Sequence, residues 1–118
     1  MLFKVGSGGV PVGNYSATFI GTKEQAANAQ KGYGPGIRWE WKITVGPQAG
    51  QVASRITGPL PTPKNGAGKM LAGILGRALK EGEEIDLQAY VGKPYMIVVA
   101  AGQQGGTRVE AIMPMPQN

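Results

Sequence analysis

The stretch GIRWEWKITVGPQAGQVASRITGPLPTPKNGAGK, residues 36–69, decides the fold. It opens with strict alternation: Ile37, Trp39, Trp41, Ile43 and Val45 point one way, and Arg38, Glu40, Lys42 and Thr44 the other. A period of two assigns each set to its own face of a β-strand. Gly46-Pro47 and Gly50 mark a turn, and a second alternating run then sets Val52, Ser54 and Ile56 against Ala53, Arg55 and Thr57. The pair reads as a β-hairpin. Its buried side carries the tryptophans, and its solvent side carries Arg38, Lys42 and Arg55 against the single acid Glu40.

Upstream, Tyr15, Ala17 and Phe19 alternate with Ser16, Thr18 and Ile20, giving a first strand that ends near Gly21. Residues 22–36 read as a long polar loop with Lys23, Lys31 and Tyr33, and its middle suits a short helical turn. Downstream, Gly58-Pro59-Leu60-Pro61 cannot continue a strand. Thr62 then suits an N-cap with Pro63 at the first helical position. Met70, Leu71, Ile74, Leu75, Ala78 and Leu79 form one apolar stripe, with Gly82 as the stop. Gly66, Gly68, Gly73 and Gly76 lie in this stretch, each about 1 kcal/mol worse than Ala in a helix, so tertiary packing must hold it. Residues 95–101 read as a buried strand, residues 102–106 as a turn and residues 107–113 as the last strand. The expected fold is mostly β, with a single helix between the third and fourth of five strands. That is the element order of the OB-fold, a small Greek-key barrel. Another small barrel or an α+β sandwich is the alternative. A loose arm over residues 1–13, a barrel domain over 14–113 and a tail over 114–118 complete the organisation.

The 118 residues suffice for one core. No Cys and no His are present, which removes disulfides, thiolate metal sites and the commonest general base. A non-enzymatic protein without cofactors is therefore expected. No apolar run approaches the roughly 20 residues that span a bilayer, and MLFKVGSGGVPVG does not read as a signal peptide, so a cytoplasmic location is expected. The net charge of +5 is unevenly spread: four of the seven acids fall within residues 81–86, leaving Glu24, Glu40 and Glu110 against 12 basic residues. A segregated positive field favours a polyanionic partner.

Candidate chemistry narrows further. Gly66-Ala67-Gly68-Lys69 fails as a phosphate loop, since position 63 is Pro and the residue after Lys69 is Met70. Lys64 and Lys69 in that glycine-rich stretch still suit a phosphodiester chain. Trp39 and Trp41 share a face with Ile37, Ile43 and Val45, which favours the core over a base-stacking platform. Tyr33, beside Lys31 in a Gly-Pro loop, is the better stacking candidate. Arg38, Lys42 and Arg55 form a cationic β-surface suited to a nucleic-acid backbone. Glu81, Glu83, Glu84 and Asp86 lack the alternating pattern of a calcium loop and read as a solvated turn or a DNA-repelling patch.

The chain resembles the OB-fold single-stranded DNA-binding proteins of tailed phages and bacteria. The resemblance rests on Val10-Pro11-Val12-Gly13-Asn14-Tyr15, on residues 36–46, and on Gly50-Gln51. It continues in Thr62-Pro63-Lys64 and in Tyr90-Val91-Gly92-Lys93. It would cover most of residues 10–113, with its force in the order of these short motifs. It implies a sequence-nonspecific binder of single-stranded DNA, with RNA as the alternative, acting in replication or recombination. On this reading Arg38, Lys42 and Arg55 contact the backbone, Lys31, Lys64 and Lys69 clamp it from loops, and Tyr33 stacks on a base. One departure stands out: the bacterial proteins end in an acidic tip, whereas this chain ends Pro114-Met115-Pro116-Gln117-Asn118. Partner recruitment through such a tail is not expected. The rival use of the same surface is a protein-interaction or assembly module whose barrel edges make oligomer contacts. An enzyme is the weakest reading.

Overall fold

The computed structural model describes residues 10–27, 34–62, 64–102 and 106–115. Its strands are β1 (Gly13–Gln25), β2 (Gly36–Ile43), β3 (Val52–Thr57), β4 (Pro94–Ala101) and β5 (Thr107–Pro114), and helix α1 (Gly66–Leu75) lies between β3 and β4. A 3-10 turn, Leu87–Tyr90, precedes β4. The strands form one antiparallel sheet in the order β3-β2-β1-β4-β5. No ladder joins β3 to β5 among the described residues, so the sheet is open in its hydrogen bonding. None of the described helices is long and apolar enough to cross a membrane.

β1 is the spine. Its first half pairs with β4 and its second half with β2, and the register skips Ile20 between Phe19 and Gly21. A bulge of this kind bends a strand and sharpens its twist, which lets one strand serve two partners in different directions. The run continues to Gln25, opposite Gly36 at the start of β2, so Lys23 belongs to a strand and not to a loop or a helical turn. Pairing with β2 supplies the backbone partners that a polar sequence does not advertise.

Alternation in β2 predicts its buried side correctly. Trp39, Trp41 and Ile43 are buried, together with Phe19, Ala53, Tyr95, Ile97 and Val99 from neighbouring strands. Phe19 lies 5.5 Å from Trp41 and 6.4 Å from Tyr95 between ring centroids, the latter edge-on. These aromatic contacts add to area burial. Val45 is the exception. β2 ends at Ile43, and Val45 sits 66% exposed in the turn.

Helix α1 seals the core with Ala67, Met70, Leu71 and Ile74. Its N-cap is Asn65, whose side chain accepts from Gly68 N at 2.8 Å; Thr62, expected as the cap, lies outside the helix, and Pro63 outside the described residues. The helix stops at Gly76, in the left-handed region at φ 73, so Gly82 is not the terminator and Ala78 and Leu79 lie beyond the helix. At Gly73 the helix meets β5: a Cβ there would run into the Ile112 side chain. A side chain in place of that hydrogen would push α1 off the sheet.

Candidate nucleic-acid interface

The β2–β3 register places the expected cations on two different sides. Arg38 faces Ile56, Glu40 faces Ser54 and Lys42 faces Val52, all outward. Arg55 faces Trp39, and directly opposed residues share a face. Arg55 therefore does not belong to the solvent face with Arg38 and Lys42, and its side chain is only 10% exposed. The phase of β3 was ambiguous by pattern because short polar residues, Ser54 and Thr57, occur on both of its sides.

On the outer face Arg38 is already engaged. Its Nε stands 3.4 Å from Glu40 Oε2, and Lys23 Nζ is 3.3 Å from Glu40 Oε1. Both long side chains cover Glu40, which is buried despite pointing outward. Lys42 is exposed, with Thr18 and Val52 as its cross-strand neighbours.

Arg55 turns into the gap between β3 and β5. Its Nη1 lies 3.5 Å from the Val109 carbonyl and 3.8 Å from Glu110 Oε2. Glu110 also meets Lys69 Nζ at 3.4 Å and Arg108 Nε at 3.2 Å. The β4–β5 register explains how one carboxylate reaches three cations. Val98 faces Ala111 and Val99 faces Val109, which leaves Glu110 unpaired in a bulge. A bulge re-aims the side chain it carries.

Electrostatics follow from this cluster. Burial lowers the Arg55 pKa, Arg108 lowers it further and Glu110 opposes both. Arginine keeps its proton in any case. Partial burial pushes the Glu110 carboxyl up, but Arg108, Lys69 and Arg55 outweigh it and hold the group below the ordinary glutamate range.

A cleft opens beside the cluster, lined by Arg55, Lys64, Gly66, Lys69, Ala72 and Leu79. The first turn of α1 has no acidic residue, so its dipole adds positive potential there. A smaller cleft at the other end of the same gap is lined by Arg38, Ser54, Val99, Thr107 and Arg108. The structure thus brings together Arg55, Lys64 and Lys69 and leaves Lys42 on the opposite face. Lys31 and Tyr33 lie outside the described residues.

Arg108 and Glu110 are the residues that sequence reasoning missed. Their participation depends on a bulge and on the long-range meeting of Lys69 with Glu110. The acidic segment behaves as a solvated turn. Glu83 pairs with Arg77 at 2.8 Å and accepts from Lys80 N, and Asp86 accepts from Gln88 N at 3.0 Å. Hydrogen bonding to Arg77 takes the Glu83 pKa down to about 2. No group of acids among the described residues is arranged to hold a metal ion. No protein-family model, curated protein or solved structure matches this chain.

Proposed function

We propose that this chain binds single-stranded nucleic acid, DNA in the first place, without sequence preference and without catalysis. The observation that supports it best is the gap between β3 and β5, where Arg55, Lys69 and Arg108 gather around one carboxylate, Glu110, and Lys64 lines the adjoining cleft. A cleft lined by cations attracts a phosphate chain by releasing its condensed counterions. Single strands bend enough for successive phosphates to pass from the cleft at Lys64 and Lys69 to the smaller one at Arg108.

The OB-fold belongs to the same proposal. The sheet order and the position of α1 are those an OB barrel has when its third and fifth strands close, and Arg55 bridges those strands through Val109 and Glu110. OB barrels that hold single strands do so with cationic grooves. Together with the resemblance in sequence, this favours a role in replication or recombination, in the cytoplasm of a bacterium or of a phage-infected host.

One observation favours the second reading, an assembly module. Val52 and Ile56 on the edge strand β3 are 41% and 44% exposed, and an unpaired edge is a template for another chain. The deciding experiment is fluorescence anisotropy of labelled oligo-dT over a salt series, beside a duplex control. The nucleic-acid reading expects log affinity to fall with log salt by about 0.7 per phosphate contacted. A flat response, or no binding with concentration-dependent self-association, supports the assembly module instead.

A further inference from the structure

Three cations share the Glu110 carboxylate, and none holds it closely: Arg108 Nε is at 3.2 Å, Lys69 Nζ at 3.4 Å and Arg55 Nη1 at 3.8 Å. Strong charge-assisted hydrogen bonds run at about 2.7–2.9 Å. Arg55 is nine-tenths buried, and its Nε is enclosed with no hydrogen-bond partner among the described residues. Its Nη2 stands over Gly66, the first residue of α1, only 3.2 Å from where a Cβ would sit. A buried guanidinium with unused donors is costly. Glu110 meets only Nη1, because its oxygens are divided between Arg108 and Lys69 on the solvent side.

We propose that this corner is an oxyanion site for a phosphate group, and that Glu110 is its resident competitor. A phosphate offers several oxygens on one compact centre, enough to engage Arg55, Lys69 and Lys64 together. The absence of a side chain at Gly66 lets the Arg55 guanidinium lie against the start of α1, and the absence of an acid in that first turn leaves its positive potential unopposed. On entry the phosphate takes Arg55 and Lys69 from Glu110, which keeps Arg108. The carboxylate therefore holds the cations in place when the site is empty and weakens every anion that binds. The inference rests on the interface proposed above for its main source of phosphate, an internal phosphodiester. A free phosphate or a strand's 5′-terminal phosphate has the same chemistry.

The test is a titration of inorganic phosphate into 15N-labelled protein at low ionic strength, following the Arg55 Nε–H and the Gly66 amide. Saturable shifts at these groups are expected. E110Q should reach half-saturation at roughly five- to tenfold less phosphate, since it removes the weak ion pairs that phosphate has to displace. K69Q, changed at a half-exposed side chain on α1, should need several-fold more and keeps the test decisive if E110Q does not fold. Shifts spread evenly over all surface cations overturn the site, as does equal phosphate affinity in wild type and K69Q. Equal affinity in wild type and a folded E110Q overturns the competitor role. Oligo-dT with and without a 5′-phosphate then identifies the source. Movement of the same resonances by both oligomers assigns an internal phosphodiester, and movement by the phosphorylated one alone assigns the terminus. If inorganic phosphate moves them and neither oligomer does, the oxyanion site stands and the nucleic-acid reading falls.

Discussion

The Tyr95 hydroxyl donates to the Ile74 carbonyl at 2.9 Å, tying β4 to the last turn of α1 inside the core. Burial, with a smaller contribution from Tyr90, pushes the Tyr95 phenol up to about 12. Tyr95→Phe should cost about 1–2 kcal/mol by leaving a buried carbonyl short of a donor. The pH dependence has a definite sign. The unfolded chain releases this proton near pH 10 and the folded one does not, so wild-type stability is fully present below about pH 10 and falls as pH rises towards about 12. Denaturant melts of wild type and Y95F across that window should converge.

Trp39 and Trp41 are both core residues, and Trp39 Nε1 also donates to Thr57 Oγ1 at 2.8 Å. Replacing either with Ala should cost about 3–5 kcal/mol, a large share of a small domain's stability. Their emission should be blue-shifted and should stay unquenched when oligo-dT is added to the wild-type protein.

Gly73→Ala tests how α1 sits. The added methyl meets Ile112, so a loss of about 1–3 kcal/mol is expected in a chemical melt, despite Ala being the better helix former. Gly73→Ala combined with Ile112→Ala, which removes the Cγ1 that the methyl meets, should cost less than the two single losses added together.

The two faces separate cleanly by charge reversal. Lys69→Glu, in the cleft, should abolish most oligo-dT binding and reduce the salt slope by about 0.7 or more. Lys42→Glu, on the outer face, should change affinity much less. Equal effects would show that the strand follows the outer face of β2 instead.

Acid should loosen the segment after α1. Glu83 titrates near 2 because Arg77 and the Lys80 amide bond its carboxylate. That contribution is present above the ordinary glutamate value and is lost as pH falls towards about 2. Arg77→Gln should shift the onset of acid-induced exchange of the Lys80 amide to higher pH, read by NMR.

The hairpin, its turn and the burial of both tryptophans were legible because a period of two with large apolar residues has one solution. The phase of β3 was not: Ala53, Ser54 and Thr57 are small enough for either face, and only the register opposite Trp39 turns Arg55 inward. The helix stripe ran on through Leu79 because Leu79 still packs against the core after the chain has left the helix at Gly76. Thr62 and Asn65 are both good caps, and the choice falls on Asn65 because its side chain also donates to Leu60 O and accepts from Thr62 N. The bulge at Glu110 left no pattern at all, and with it Arg108 was overlooked.

The bridge between β3 and β5 is made by side chains and not by a backbone ladder, and this sets how the molecule breathes. Ion pairs weaken with added salt, whereas ladder hydrogen bonds hardly do. Ionic strength thus acts as a mechanical control on one side of the fold: as it rises, the β3 edge should open more often while the β1–β4 pairing stays shut. Hydrogen exchange in residues 52–57 would then accelerate with salt and slow again when an anion clasps Arg55. Anion binding of the kind proposed at Arg55 would therefore stiffen this edge of the sheet.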